Sequence, residues 1–80
     1  MEVLIGRVYK HFKGNYYIVE SIALNTETEE QMVIYKALYG NGEVFARPID
    51  SFTQKIEGQK QEHRFELQNI ESAINHKPHS

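Results

Sequence analysis

Residues 31–52, QMVIYKALYGNGEVFARPIDSF, constrain the chain more than any other stretch. Two runs rich in apolar and β-branched residues flank Gly40-Asn41-Gly42, and Asn-Gly between such runs is the strongest short-range signal for a β-hairpin. The cause is steric, because tight hairpin turns need positive φ, which Gly and Asn adopt most easily. Pro48 ends the second run, since it cannot donate to a central ladder and it holds Arg47 extended. The first run is apolar on both faces: Met32, Ile34 and Leu38 alternate with Val33, Tyr35, Ala37 and Tyr39. Such a strand needs cover from two layers, for example a barrel interior on one side and a helix on the other.

The rest of the chain supplies partners for that hairpin. Residues 7–12 predict a first strand with Arg7, Tyr9 and His11 on one face and Val8, Lys10 and Phe12 on the other. Neither face is wholly apolar, so this strand is expected where the sheet meets solvent. Gly14-Asn15 suits a tight connection to a second strand over residues 16–24, which Glu20-Ser21 interrupts with a bend or bulge. Residues 25–30 are polar and acidic and read as a solvated loop. After the fourth strand (43–47), Pro48 can start a helical turn that puts Ile49 and Phe52 on one side. Residues 53–57 offer a brief fifth strand, and 59–63 a loop. Leu67, Ile70, Ala73 and Ile74 then recur at helical spacing up to Pro78, which predicts an amphipathic helix. The expectation is a single domain over residues 1–80 and a mainly β fold. A small, twisted antiparallel barrel of about five strands fills residues 6–61, with a helical turn before its last strand. The C-terminal amphipathic helix at residues 62–76 lies on the sheet.

Composition narrows the chemistry. With 80 residues the core is small, and with no cysteine there is no disulfide framework, thiol nucleophile or Cys-ligated zinc. The net charge of -2 argues against a broadly basic, sequence-blind nucleic-acid binder, although residues 7–13 carry a local basic run. That run reads either as a phosphate-tracking surface or as a lysine-protected edge strand. Val3-Leu4-Ile5 is too short for a signal peptide or a membrane span, so a cytoplasmic protein without a membrane partner is expected. The histidines lack metal-ligand spacing, and no HExxH, GxSxG or phosphate-cradling glycine loop is present. No metal, cofactor or catalytic activity is therefore expected.

Several blocks occur in order: Tyr9-Lys10-His11-Phe12-Lys13-Gly14-Asn15-x-Tyr17-x-Val19, Val33-x-Tyr35-x-Ala37-Leu38-Tyr39-Gly40, Arg47-Pro48-x-x-x-Phe52 and Arg64-Phe65. Together they resemble the small, mainly bacterial family catalogued as domain of unknown function 1653, over about residues 6–65. The resemblance implies an SH3-like small barrel and carries over no catalytic residue. Phe45 departs from it, because a Trp is common there and Phe cannot supply an indole N–H.

The candidate binding residues are Tyr9, His11, Tyr35, Tyr39, Arg47 and Arg64. By alternation Tyr35 and Tyr39 share one strand face and Phe45 and Arg47 share another, and across a short hairpin such faces meet. Rings beside a guanidinium suit stacking on a base, a peptide proline or a methylated cation. The alternative reading has the tyrosines filling the core edge while Arg47 pairs with Glu43 or Glu66. The expectation is thus a noncatalytic binding module for a nucleic acid or a protein segment. A structural or assembly protein or subunit, packing its helix or a barrel edge against a copy of itself or a larger enzyme, is the alternative, and a small hydrolase using His11 or Tyr39 beside Arg47 ranks below both.

Overall fold

The computed structural model describes residues 2–69. The hairpin is built by β3 (Gln31–Ala37) and β4 (Val44–Pro48), whose turn places Gly40 and Gly42 at φ 57° and 68°. The preceding strands are β1 (Val8–His11) and β2 (Tyr16–Leu24). Pro48, with φ fixed near −55°, leads into a single helical turn, α1 (Ile49–Phe52), and the last strand is β5 (Phe65–Leu67). All pairings are antiparallel, in the order β4-β3-β2-β1-β5. Pro48 therefore sits on an edge strand, where its missing N–H breaks no central ladder.

The sheet does not close. β4 and β5 are its two edges, and among the described residues no ladder joins them. They approach through side chains instead: the Arg47 guanidinium lies 5.7 Å from the Phe65 ring centre. Behind them α1 fills the gap, with Phe52 stacked on Phe65 at 4.1 Å and the Arg64 Nε–H donating to the Ser51 carbonyl at 3.1 Å. The interruption at Glu20 is a bulge, since Val19 pairs with Tyr35 while Ser21 pairs with Ile34. Bulges bend a strand and increase its twist, which helps curl the sheet toward that seam.

One face of the curled sheet makes the core, in which Tyr9, Val19, Val33, Tyr35, Phe52 and Phe65 are buried. Aromatic rings dominate it. Tyr35 alone meets Phe52, Phe65, Tyr17 and Phe45 at 5.2–5.6 Å between ring centres. All but the tilted Phe45 contact are edge-to-face, and such pairs add about 0.5–1.5 kcal/mol each beyond area burial, so a domain of this size gains cohesion that aliphatic packing alone would not give.

Three expectations are corrected. β1 is not at the solvent edge, because β5 pairs with it through Tyr9↔Leu67, Lys10↔Glu66 and His11↔Phe65. Residues 53–57 form no strand and contribute only an isolated Lys55↔His63 bridge. Residues 65–67 are a strand rather than part of the expected C-terminal helix, so the β region runs past residue 61. The cause is local: Phe65 turns into the aromatic core, while Leu67, counted as helix face, stays 42% exposed. The helical spacing at Ile70, Ala73 and Ile74 falls outside the described residues. The second face of β3 is only partly covered, with Met32 and Ile34 half-buried. Among the described residues no helix is long and apolar enough to cross a membrane.

Candidate functional site

Strand alternation sends at least one side chain from every strand to the same hollow. His11 of β1, Tyr17 of β2, Tyr35 of β3, Phe45 and Arg47 of β4 and Phe65 of β5 line a cavity of about 260 Å³, together with Tyr39 from the turn after β3. The β3–β4 register sets Tyr35 directly opposite Phe45, and Arg47 lies two residues further along the same face. The hollow lies at the open seam of the sheet.

Arg47 is its electrostatic centre. Its Nε–H donates to the Tyr35 hydroxyl at 3.1 Å and its Nη1 to Ser51 Oγ at 3.0 Å. These neutral partners fix the guanidinium plane without neutralising its charge. No carboxylate pairs with it among the described residues; the expected partners Glu43 and Glu66 do not reach it. Two of its five N–H donors are thus used and three are left for a ligand or water.

His11 faces the same space. Its Nδ1 accepts the Lys13 backbone N–H at 3.1 Å, which leaves the ring proton on Nε2 in the neutral form. Burial lowers its pKa below the ordinary 6.5, and the positive charges of Arg47, Arg64 and Lys13 lower it further. Tyr17 and Tyr39 share a hydroxyl–hydroxyl hydrogen bond of 2.9 Å. Burial, then that bond, pushes the Tyr17 pKa up to about 12. The lining offers hydrogen-bond donors and positive charge but no carboxylate. Its chemistry suits a flat group that carries or adjoins an anion.

Of the predicted site residues, His11, Tyr35, Tyr39 and Arg47 converge on the cavity. Arg64 stands beside it: its charge reaches His11, but its guanidinium donates to the Ser51 carbonyl and to Gln54 Oε1 at 2.7 Å. Tyr9 is elsewhere. Its exposure is 0%, its ring meets Phe52 edge-on at 5.4 Å, and its hydroxyl accepts the Leu4 backbone N–H at 2.9 Å. Alternation put Tyr9 on the face of His11 correctly, yet two residues further along β1 that face is sealed.

Sequence reasoning left Tyr17, Phe45 and Phe65 out of the site. Tyr17 precedes Val19 at strand spacing, which marks it as inward, whereas Phe65 was hidden by the helical reading around it.

Two other clusters have structural explanations. Glu62, His63 and Glu66 hold potential metal-ligand atoms within 4.8 Å of one another. Glu66 Oε2, however, accepts the backbone N–H groups of Glu62 (2.7 Å) and His63 (3.0 Å), so the carboxylate ties down the loop before β5. A wider, more polar hollow of about 400 Å³ lies beside Lys10, Phe12, Gln59, Lys60, Gln61 and Glu66. Its central Gln61 amide is spent on the Lys10, His63 and Arg64 carbonyls.

The family model described as protein of unknown function, DUF1653, matches residues 7–67, most of the chain and every element above. The chain belongs to the DUF1653 family. It is also similar to the crystal structure of a DUF1653 protein from Bordetella bronchiseptica, with 26% identity and a TM-score of 0.68 over 79% of this chain and 85% of that one. A search of curated proteins finds no match. The family description assigns no activity, so for this DUF1653 domain the reading of the pocket rests on its own geometry.

Proposed function

We propose that this protein is a noncatalytic binding module, which captures one flat group of a nucleic-acid or protein segment in the pocket around Arg47. The observation that carries this reading is the guanidinium itself. Tyr35 and Ser51 orient it, the Phe65 ring lies beneath it, and no carboxylate compensates it among the described residues. A charge kept partly buried with only neutral partners is costly unless something else meets it, and a ligand anion does so. The half-exposed Tyr39 ring beside it supplies a stacking face. The SH3-like barrel belongs to the same proposal: the curled sheet, the β2 bulge and the helical turn before β5 support a small barrel left open where the pocket sits. A cytoplasmic location is part of it too.

The test is fluorescence anisotropy with labelled single strands and acidic peptides, with binding mapped by amide chemical shifts. Binding that weakens steeply with added salt, drops on Arg47→Ala and perturbs Tyr17, Tyr39 and Phe45 is the expected result. Flat binding across salt, with the variant equal to the parent, would remove the nucleic-acid version.

The open edges favour a second reading, a structural or assembly protein. Val44 on β4 is 52% exposed, and an unpaired edge strand can add a partner's strand. A monomer at all concentrations in sedimentation would count against self-assembly.

A further inference from the structure

We infer that the pocket's ligand is a single unpaired nucleotide of a nucleic-acid strand, its base against the exposed Tyr39 ring and its phosphate on the Arg47 side. This rests on the binding-module reading and narrows it to one class of partner.

Size comes first. A cavity of about 260 Å³ falls below the roughly 300–1,000 Å³ of pockets that enclose a whole drug-sized ligand. It therefore takes one planar group and leaves the rest of the ligand outside. The lining fits one face of a base: Tyr17, Tyr35 and Phe65 are buried edge-on against one another and form the floor, while Tyr39, 46% exposed at the rim, and half-buried Phe45 supply the accessible π-surface. Base–aromatic stacking is tolerant of base identity because every base has a π-face.

Polarity comes second. Arg47 has three N–H donors unspent, neutral His11 offers Nε2–H, and the Tyr35 hydroxyl, already accepting from Arg47, has its own proton to give. The Tyr17–Tyr39 pair spends one hydroxyl proton and leaves the other. Those donors match base carbonyls, ring nitrogens and phosphate oxygens alike.

Charge comes third. Lys13, Arg47 and Arg64 all act on His11 electrostatically, and none of the three has a carboxylate partner among the described residues. A phosphodiester leaving the pocket mouth toward Lys13 or Arg64 would meet positive charge. A nucleic acid couples a flat ring to an anion in every unit. A peptide does so only where its sequence places an aromatic beside an acid or a phosphate, so the strand is the favoured occupant. The net charge of -2 confines binding to this local patch, and a pocket that must admit a base favours a single strand, whose bases are unpaired, over a duplex.

The experiment compares a short labelled oligothymidine strand with the same-length abasic phosphodiester, the corresponding duplex, thymidine monophosphate and an acidic aromatic peptide. The oligothymidine strand is expected to bind about ten-fold or more tighter than the abasic strand and the duplex. Tyr39→Ala, at the exposed rim and away from the core, and Arg47→Gln should each weaken it about five-fold or more. The tyrosine circular dichroism of each variant shows that it is folded. Equal binding of the abasic strand or the duplex overturns the inference, because phosphate charge alone then accounts for affinity. Thymidine monophosphate binding as tightly as the strand overturns the strand assignment. Binding of the peptide alone overturns the nucleotide and leaves the binding module standing, whereas no binding to any probe removes both.

Discussion

On one side of Phe65 lies Phe52, stacked at 4.1 Å and sealed in with Tyr9; on the other lie His11, Tyr17 and Arg47, reached from solvent past the half-exposed Tyr39. Both sides are aromatic, so hydrophobicity does not separate them. Their polar groups do. Tyr9 has one hydroxyl to satisfy, and the Leu4 backbone N–H meets it, so that side can close. The pocket side holds three hydroxyls, an imidazole and a guanidinium, more donors than the protein supplies acceptors for, and must stay in touch with water or a ligand. The same ring types thus make a core where polar handles are few and an open, polar hollow where they are many.

The largest test of that division is Phe52→Ala. Losing a fully buried ring should lower unfolding free energy by about 3–5 kcal/mol in urea titrations, a large share of a small domain's roughly 5–15 kcal/mol. Tyr39→Ala, which removes a half-exposed ring with its hydrogen bond and edge contact to Tyr17, should cost about 1–2 kcal/mol in the same assay; equal losses would erase the distinction between sealed and open sides. Tyr17→Phe should cost about 0.5–1.5 kcal/mol through the lost Tyr39 bond. In an absorbance titration, it should remove the tyrosine transition pushed up to about 12.

A smaller effect tests the electrostatics. The folded chain holds the His11 pKa below 6.5, so the unfolded chain binds more protons as pH falls through 6.5. Stability should therefore drop below about pH 6.5 and level off once pH passes the folded pKa. His11→Asn should flatten that part of the profile, and an unchanged slope would show that His11 is not the group responsible. The smallest effect belongs far from the pocket: Lys55→Ala breaks an exposed 3.9 Å pair with Glu62 and should change stability by under about 0.5 kcal/mol.

Much of this arrangement was legible in the residues. The hairpin at Gly40-Asn41-Gly42, the second strand with its break at Glu20-Ser21 and the helical turn after Pro48 all follow from local rules of turn chemistry and alternation. Alternation paired Tyr35 with Tyr39 and Phe45 with Arg47, and His11 joined them for its chemistry and its place in the family resemblance. Long-range facts were not legible. Nothing local tells that three residues at 65–67 will cross back to pair with β1, because a strand so short has too few residues to display its period. With that pairing hidden, β1 looked like an edge, Phe65 disappeared from the site, and Tyr9 gave no sign of being capped from Leu4.

The bulge at Glu20 has a consequence of its own. The residues flanking it pair with consecutive residues of β3, so Glu20 holds no place in the ladder. Shortening the chain by that one residue would keep Val19 opposite Tyr35 and Ser21 opposite Ile34 while removing the kink. Curvature and register are therefore set independently in this strand. Deleting that residue should therefore change the gap between the sheet's two free margins while Tyr17 and Tyr35 keep their present partners.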